Sequence, residues 1–178
     1  MTATAREAAI DPFVISRVFD APRELVFKAF TEPERMKHWW GPKGFTVIAQ
    51  TMDLRPGGMY HYGLKAPDGN TMWGRFVYRE IAAPERIVFV NSFSDEKGGL
   101  TRHPMSPSWP LEMLSTFLFE DLGNERTKLT IIWAPINETD QERGTFEKGR
   151  PSMTGGWTGT FEKLEGYLAE FKGQAAKA

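Results

Sequence analysis

Apolar and polar residues alternate through the middle of this chain, and apolar ones recur every three to four residues near its end. The stretch "FVISRVF" (13–19), rich in Val, Ile and Phe, reads as a first strand. "DAPRELVFKAF" changes the period: Asp20 can cap, Pro22 suits a first helical turn, and Leu25, Val26, Ala29 and Phe30 form one apolar stripe. At "TEPE" a second short helix begins, with Thr31 and Glu34 at capping-box spacing, and Gly41-Pro42 ends it. Four strands follow at 45–54, 59–64, 71–81 and 87–93, separated by "RPGG", "PDGN" and "AAPER", whose Pro, Gly, Asn and Asp suit tight turns. Segment 94–110 is rich in Gly, Pro and Ser and reads as a long loop, either a lid or simply mobile. Strands at 111–119 and 126–134 complete the series. Thr139 and Glu142 open a short helix reaching about Lys148, interrupted by Gly149 and Pro151. Trp157, Phe161, Leu164, Leu168 and Phe171 then form one stripe of a long helix, and the tail "KGQAAKA" is expected to fray.

Strands joined by such short turns must be antiparallel, and seven of them in one sheet twist and curl. The long helix must bury its stripe, and the concave face of the sheet is its only large apolar partner. The expected fold is α+β: a curved seven-stranded antiparallel sheet around a long C-terminal helix, with two short helices after the first strand. A curled sheet gripping one helix often leaves space between them.

Composition narrows the picture. The 178 residues suggest a single domain spanning 1–178, with a core at about 13–172. A net charge of -1 and scattered basic residues give no support to nucleic-acid binding. The absence of cysteine excludes disulfides and thiolate chemistry. Neither a signal-peptide core nor an apolar run of membrane-spanning length is visible, so the expectation is a soluble, cytoplasmic protein.

Aromatics reach 13 % of the residues, with 6 Trp and 13 Phe. They either fill a core or line a cavity. With a two-residue turn at Asp68-Gly69, Leu64 opposes Trp73, Tyr62 opposes Arg75 and Tyr60 opposes Val77. Tyr60, Tyr62, Leu64, Trp73, Arg75 and Val77 then share a face, assigned to the concave side. Met113, Ser115, Phe117 and Phe119 share another face, as do Leu129, Ile131 and Trp133. With Trp157 and Phe161 they would enclose an apolar space. Arg75 is salt-bridged, snorkels to the rim, or acts as a clamp for a ligand carboxylate or phosphate. Trp39 and Trp40 flank the stripe of Met36: either one packs under the sheet end while the other borders the cavity entrance, or both are core plugs. The expected ligand-binding set is thus Trp39, Trp40, Tyr60, Tyr62, Trp73, Arg75, Met113, Phe117, Trp133, Trp157 and Phe161.

Catalytic patterns are scarce. There is no GxSxG, HExxH, P-loop or GxGxxG. His38, His61 and His103 lie in three separate segments without ligand spacing, so no metal and no cofactor are expected. Glu85-Arg86 reads as a solvated surface pair.

Four stretches, "FDAPRELVFKAFTEPERMKHWWGP", "DLRPGG", "YREIAAPERIVFVNSF" and "GGWTGTFEKLEGYL", resemble the activator-of-Hsp-90-ATPase homologue family of the START-like, SRPBCC superfamily, over residues 13–172. The resemblance implies the helix-grip fold. The family takes its name from a two-domain co-chaperone, and the wider superfamily implies hydrophobic-ligand binding, lipid or polyketide handling, and some cyclases. Three functions are therefore expected, in this order: binding of a hydrophobic, perhaps anionic, small molecule; an interaction module stimulating an Hsp-90-type ATPase; and a cyclase or hydrolase using Arg75, Tyr62, His61 or Glu80. A homodimer through an edge strand or the 94–110 loop is left open.

Overall fold

The computed structural model describes residues 10–175, with the backbone alone for 173–175. The readings of the first nine residues and of the last three lie outside these. The chain begins with β1 (Phe13–Phe19), then α1 (Arg23–Thr31) and α2 (Pro33–Met36). The strands β2 (Thr46–Met52), β3 (Met59–Lys65), β4 (Thr71–Ala82), β5 (Arg86–Ser94), β6 (Leu100–Thr101), β7 (Glu112–Gly123) and β8 (Arg126–Ile136) follow. Two helices close the chain, α3 (Asp140–Lys148) and α4 (Arg150–Ala175). The sheet runs β1-β8-β7-β5-β4-β3-β2, every pair antiparallel, with β6 added to β5. The expected α+β helix-grip architecture is present, with β6 as an addition inside segment 94–110.

Burial sides with one face of each strand. On β7 and β8, Met113, Ser115, Phe117, Phe119, Leu129 and Ile131 are all buried, and the register sets Ser115 against Trp133, Phe117 against Ile131 and Phe119 against Leu129. Alternation in these strands made that face legible. Across it lies α4, burying Met153, Trp157, Phe161, Leu164 and Leu168. Phe161 meets Phe19 edge-on at 5.7 Å, and Trp157 meets Phe117 at 5.7 Å and Trp133 at 5.5 Å. Polar ties fix the helix lengthwise: Arg17 with Glu165 at 2.5 Å, and Lys172 Nζ donating to the Asp20 carbonyl at 2.8 Å. Lys163 Nζ donates to the Phe45 carbonyl at 2.9 Å and lies 3.4–3.5 Å from those of Trp40, Gly41 and Pro42. One ammonium thus clamps the turn after α2 onto α4.

Two helix-start expectations part company. The Thr139–Glu142 capping box forms in full, with the Glu142 N–H donating to Thr139 Oγ1 at 3.1 Å. The Thr31–Glu34 box does not form. Thr31 is the last residue of α1, and its hydroxyl donates to the Phe27 carbonyl one turn back at 3.0 Å. At the start of α1, Pro22 rather than Asp20 holds the N-cap position.

The β3–β4 register also differs from expectation by one residue. The turn is a three-residue loop, Pro67-Asp68-Gly69, with the Ala66 N–H bonded to the Asn70 carbonyl at 2.8 Å. Pro67 has no N–H to pair in a ladder, and Gly69 takes φ +89° at the left-handed position such loops require. Tyr62 therefore faces Gly74, Gly63 faces Trp73 and Tyr60 faces Phe76. Each glycine makes room for the ring opposite. A Cβ at Gly74 would lie 2.4 Å from the Tyr62 hydroxyl oxygen; one at Gly63 would lie 2.9 Å from the Trp73 ring. The two rings sit on opposite faces of the sheet. Gly74→Ala is expected to cost about 1–3 kcal/mol in urea unfolding, because Tyr62 must leave its place. In a Tyr62→Leu background the same change should cost at least about 0.5 kcal/mol less, and additive losses in the double variant would contradict this account.

Candidate functional site

The adjacent tryptophans divide their work. Both of their N–H groups bond to the Met36 carbonyl at the end of α2, at 3.1 and 2.9 Å, which wraps the chain before Gly41 turns it at φ +102°. Trp39 is wholly buried, donates its indole N–H to the Ala29 carbonyl at 3.1 Å and packs edge-on against Phe30. Trp40 meets the Trp39 ring edge-on at 5.6 Å and also stands edge-on to Tyr62, Phe76 and Trp157 at 5.8, 5.4 and 6.1 Å.

Trp40 thereby forms one wall of a cavity of about 400 Å³ between α4 and the concave sheet. The other walls are the rings of Tyr62, Phe76, Phe89, Phe117, Trp133 and Trp157, with Leu64, Met72, Met113 and Met153 between them. From α4 the stripe Met153, Gly156, Trp157 and Thr160 faces inward. At one end Asn91, Phe93, His103, Trp109 and Pro110 join the lining, with Gly149 and Ser152 beside them, and Gly41, Pro42, Gly74 and Ser92 also border the space. The segment carrying His103, Trp109 and Pro110 is tied to α3: Arg102 pairs with buried Glu142 at 2.7 Å, and Thr145 Oγ1 donates to Ser108 Oγ at 2.8 Å. Among the described residues no Asp, Glu, Lys or Arg lines the cavity.

Of the expected ligand-binding residues, Trp40, Tyr62, Trp73, Met113, Phe117, Trp133 and Trp157 border this space. Trp73 does so from its strand, while its ring lies across Gly63 and stacks on His61 at 5.1 Å on the outer face. Trp39, Tyr60 and Phe161 are core residues instead. Tyr60 donates its hydroxyl to Gln50 Oε1 at 2.9 Å, and Gln50 donates to the Pro33 carbonyl at 2.7 Å. Arg75 is the clearest correction. The one-residue shift of the hairpin puts it beside His61 and Ser92 on the outer face, where Nη1 donates to the Gly98 carbonyl at 2.9 Å. It is not among the residues that border the cavity.

Comparison with known proteins places this geometry. A family model described as "Activator of Hsp90 ATPase homolog 1-like protein" matches residues 20–169. The chain belongs to that family. A solution structure of an Arthrobacter aurescens protein shares 28 % identity over 89 % of this chain and 86 % of its own, with a TM-score of 0.73. Crystal structures from Mycobacterium smegmatis (19 % identity, 87 % and 88 % covered) and Nitrosomonas europaea (23 %, 91 % and 96 %) both give TM-scores of 0.70 and share the fold. Among curated proteins, none matches.

Within this family member the polar residues considered for catalysis do not converge. His61 and Arg75 lie on the outer face, and Tyr62 alone borders the cavity. Glu80 accepts from Arg86 at 2.5 Å at the surface, so Arg86 pairs there rather than with Glu85. Among the described residues no cluster of His, Asp or Glu could hold a metal, and no helix is long and apolar enough to cross a membrane. Sequence reasoning missed Phe76, Phe89, Asn91, His103 and Trp109. For Phe76 and Phe89 the correct register was the missing signal; His103 and Trp109 sit in a segment with no periodicity to read.

Burial sets the charge state of the lining. It pushes the phenol pKa values of Tyr60, Tyr62 and Tyr78 well above the ordinary 10.0, because the charged form would lose its water. The Trp40 N–H lies near enough to the Tyr62 oxygen to oppose this slightly, without reaching hydrogen-bond geometry. Burial likewise lowers the His103 pKa and favours the neutral ring. With raised phenol values the folded chain holds more protons than the unfolded one above pH 10, so stability falls as pH rises past about 10. Denaturation midpoints measured near pH 8 and near pH 11 should show this loss, and Tyr78→Phe should reduce it. Equal midpoints would contradict it.

Proposed function

We propose that this protein binds an apolar, largely aromatic small molecule between α4 and the concave sheet. The observation that carries the reading is a ring-lined space left open beside a glycine. Gly156 lies on the α4 stripe that borders the cavity, at a solvent-exposed position, and a side chain there would meet nothing within 4 Å. Glycine inside a helix costs roughly 0.5–1 kcal/mol relative to alanine. An alanine at this position would recover that cost without meeting a neighbour. The sequence keeps the space instead. Few polar groups among many rings is the usual make-up of a small-molecule pocket. Stimulation of an Hsp90-type ATPase, the activity in the family model's name, would call on an outer surface and is the competing outcome.

Gly156→Leu separates the two. The variant should melt at the same temperature as the wild type or higher, by the helix gain alone. Its affinity for the neutral dye N-phenylnaphthylamine, followed by tryptophan quenching, should fall at least about tenfold, equivalent to about 1.4 kcal/mol. Unchanged dye binding in a well-folded variant would sink the reading, as would ATPase stimulation that survives the substitution while no ligand binds either form.

A further inference from the structure

The polar groups of the cavity wall divide unevenly between donors and acceptors. Asn91 on β5 faces inward two residues before Phe93. Ser115 is wholly buried, so its hydroxyl proton needs an acceptor, and Asn91 Oδ1 lies 2.5 Å away. The reverse orientation of the amide would leave that proton with none. With Oδ1 occupied, Asn91 Nδ2 keeps both its donors and has no protein acceptor among the described residues.

His103 belongs to the same end. Its ring packs on Phe93 with centroids 4.4 Å apart. The Met105 backbone N–H donates to His103 Nδ1 at 3.0 Å, so the neutral ring carries its proton on Nε2, a second donor without a protein partner. Burial favours that neutral ring. Elsewhere on the wall, the single hydroxyl proton of Thr160 is already engaged by the carbonyls of Gly156 at 3.0 Å and Gly41 at 3.2 Å. This end therefore offers two side-chain N–H donors without a protein partner, Asn91 Nδ2 and His103 Nε2. Among the described residues nothing on the wall compensates a charge, so a carboxylate would lose its water without gaining a cation.

We propose that the cavity selects an uncharged, flat ligand whose carbonyl oxygen is held at the Asn91–His103 end, in preference to a hydrocarbon or a carboxylate of the same size. This rests on the reading of the cavity as a ligand site. A matched series tests it: fluorenone, its methylidene analogue, in which the carbonyl oxygen becomes CH₂, and fluorene carboxylate. Affinities come from tryptophan quenching and calorimetry. Fluorenone should bind at least about tenfold tighter than the methylidene analogue, and the carboxylate more weakly than fluorenone. The fluorenone carbonyl stretch should shift to lower frequency on binding. Asn91→Leu should bring the ketone preference below about threefold and remove most of the infrared shift, while the hydrocarbon still binds. Should that variant fold poorly, His103→Phe provides the same comparison without disturbing Ser115. Equal binding of ketone and hydrocarbon, or tighter binding of the carboxylate, overturns the proposal and leaves the cavity reading standing. Binding of none of the three overturns the cavity reading itself.

Discussion

The seating of Trp157 on the concave sheet holds this molecule in its shape. Its indole meets Trp40, Phe117, Trp133 and Phe161, with centroid separations of 5.5–6.1 Å. Rings of this size pack tilted or edge-on, so they act as spacers as well as contacts. The helix is drawn to the sheet at Phe161, Leu164 and Leu168, where the packing is closed. Towards its N-terminal half it is held off by the indole and carries Gly156 instead of a filling side chain. The cavity is the consequence of one helix that is packed solidly at one end and propped at the other.

Two further devices keep the prop in place. Lys163 gathers the carbonyls of the turn after α2, the Trp40 carbonyl among them, and so ties the segment that carries Trp40 to α4. The second device is the pairing of rings with glycines on β3 and β4. Tyr62 reaches across Gly74 into the cavity wall, and Trp73 reaches across Gly63 on the outer face. The same two strands therefore present an aromatic ring on each side at one level. That arrangement sends the charged neighbour, Arg75, outward with Trp73 and keeps the lining neutral. The uncharged wall, the raised phenol pKa values and the neutral His103 all follow from burial among rings.

Much of the fold was legible because its signals are local. Period-two alternation in β7 and β8 exposes one face, and the 3.6-residue stripe of α4 exposes the other. The Thr139–Glu142 box was legible for the same reason, since every atom it needs lies within one turn. Thr31 had the same spacing to Glu34 yet turned its hydroxyl back to Phe27, because α1 runs one residue further than its composition suggests. The site was less legible. Met113, Phe117, Trp133 and Trp157 followed from periodicity, whereas Arg75 depended on counting through a turn. A two-residue loop and a three-residue loop differ by one position, and one position exchanges the faces of a strand.

The sequence alone determined the order of elements, the face that β7, β8 and α4 bury, and the aromatic character of the interior. These depend on spacing within a single element. Tertiary structure decided which residue of each cross-strand pair faces inward on β3 and β4, and which of the two adjacent tryptophans lines the cavity. It also decided that His103 reaches the wall from a segment without periodicity, and that Asn91 and Ser115 meet across β5 and β7. Such choices depend on turn geometry and on contacts between residues far apart in the chain, where no local period carries the information.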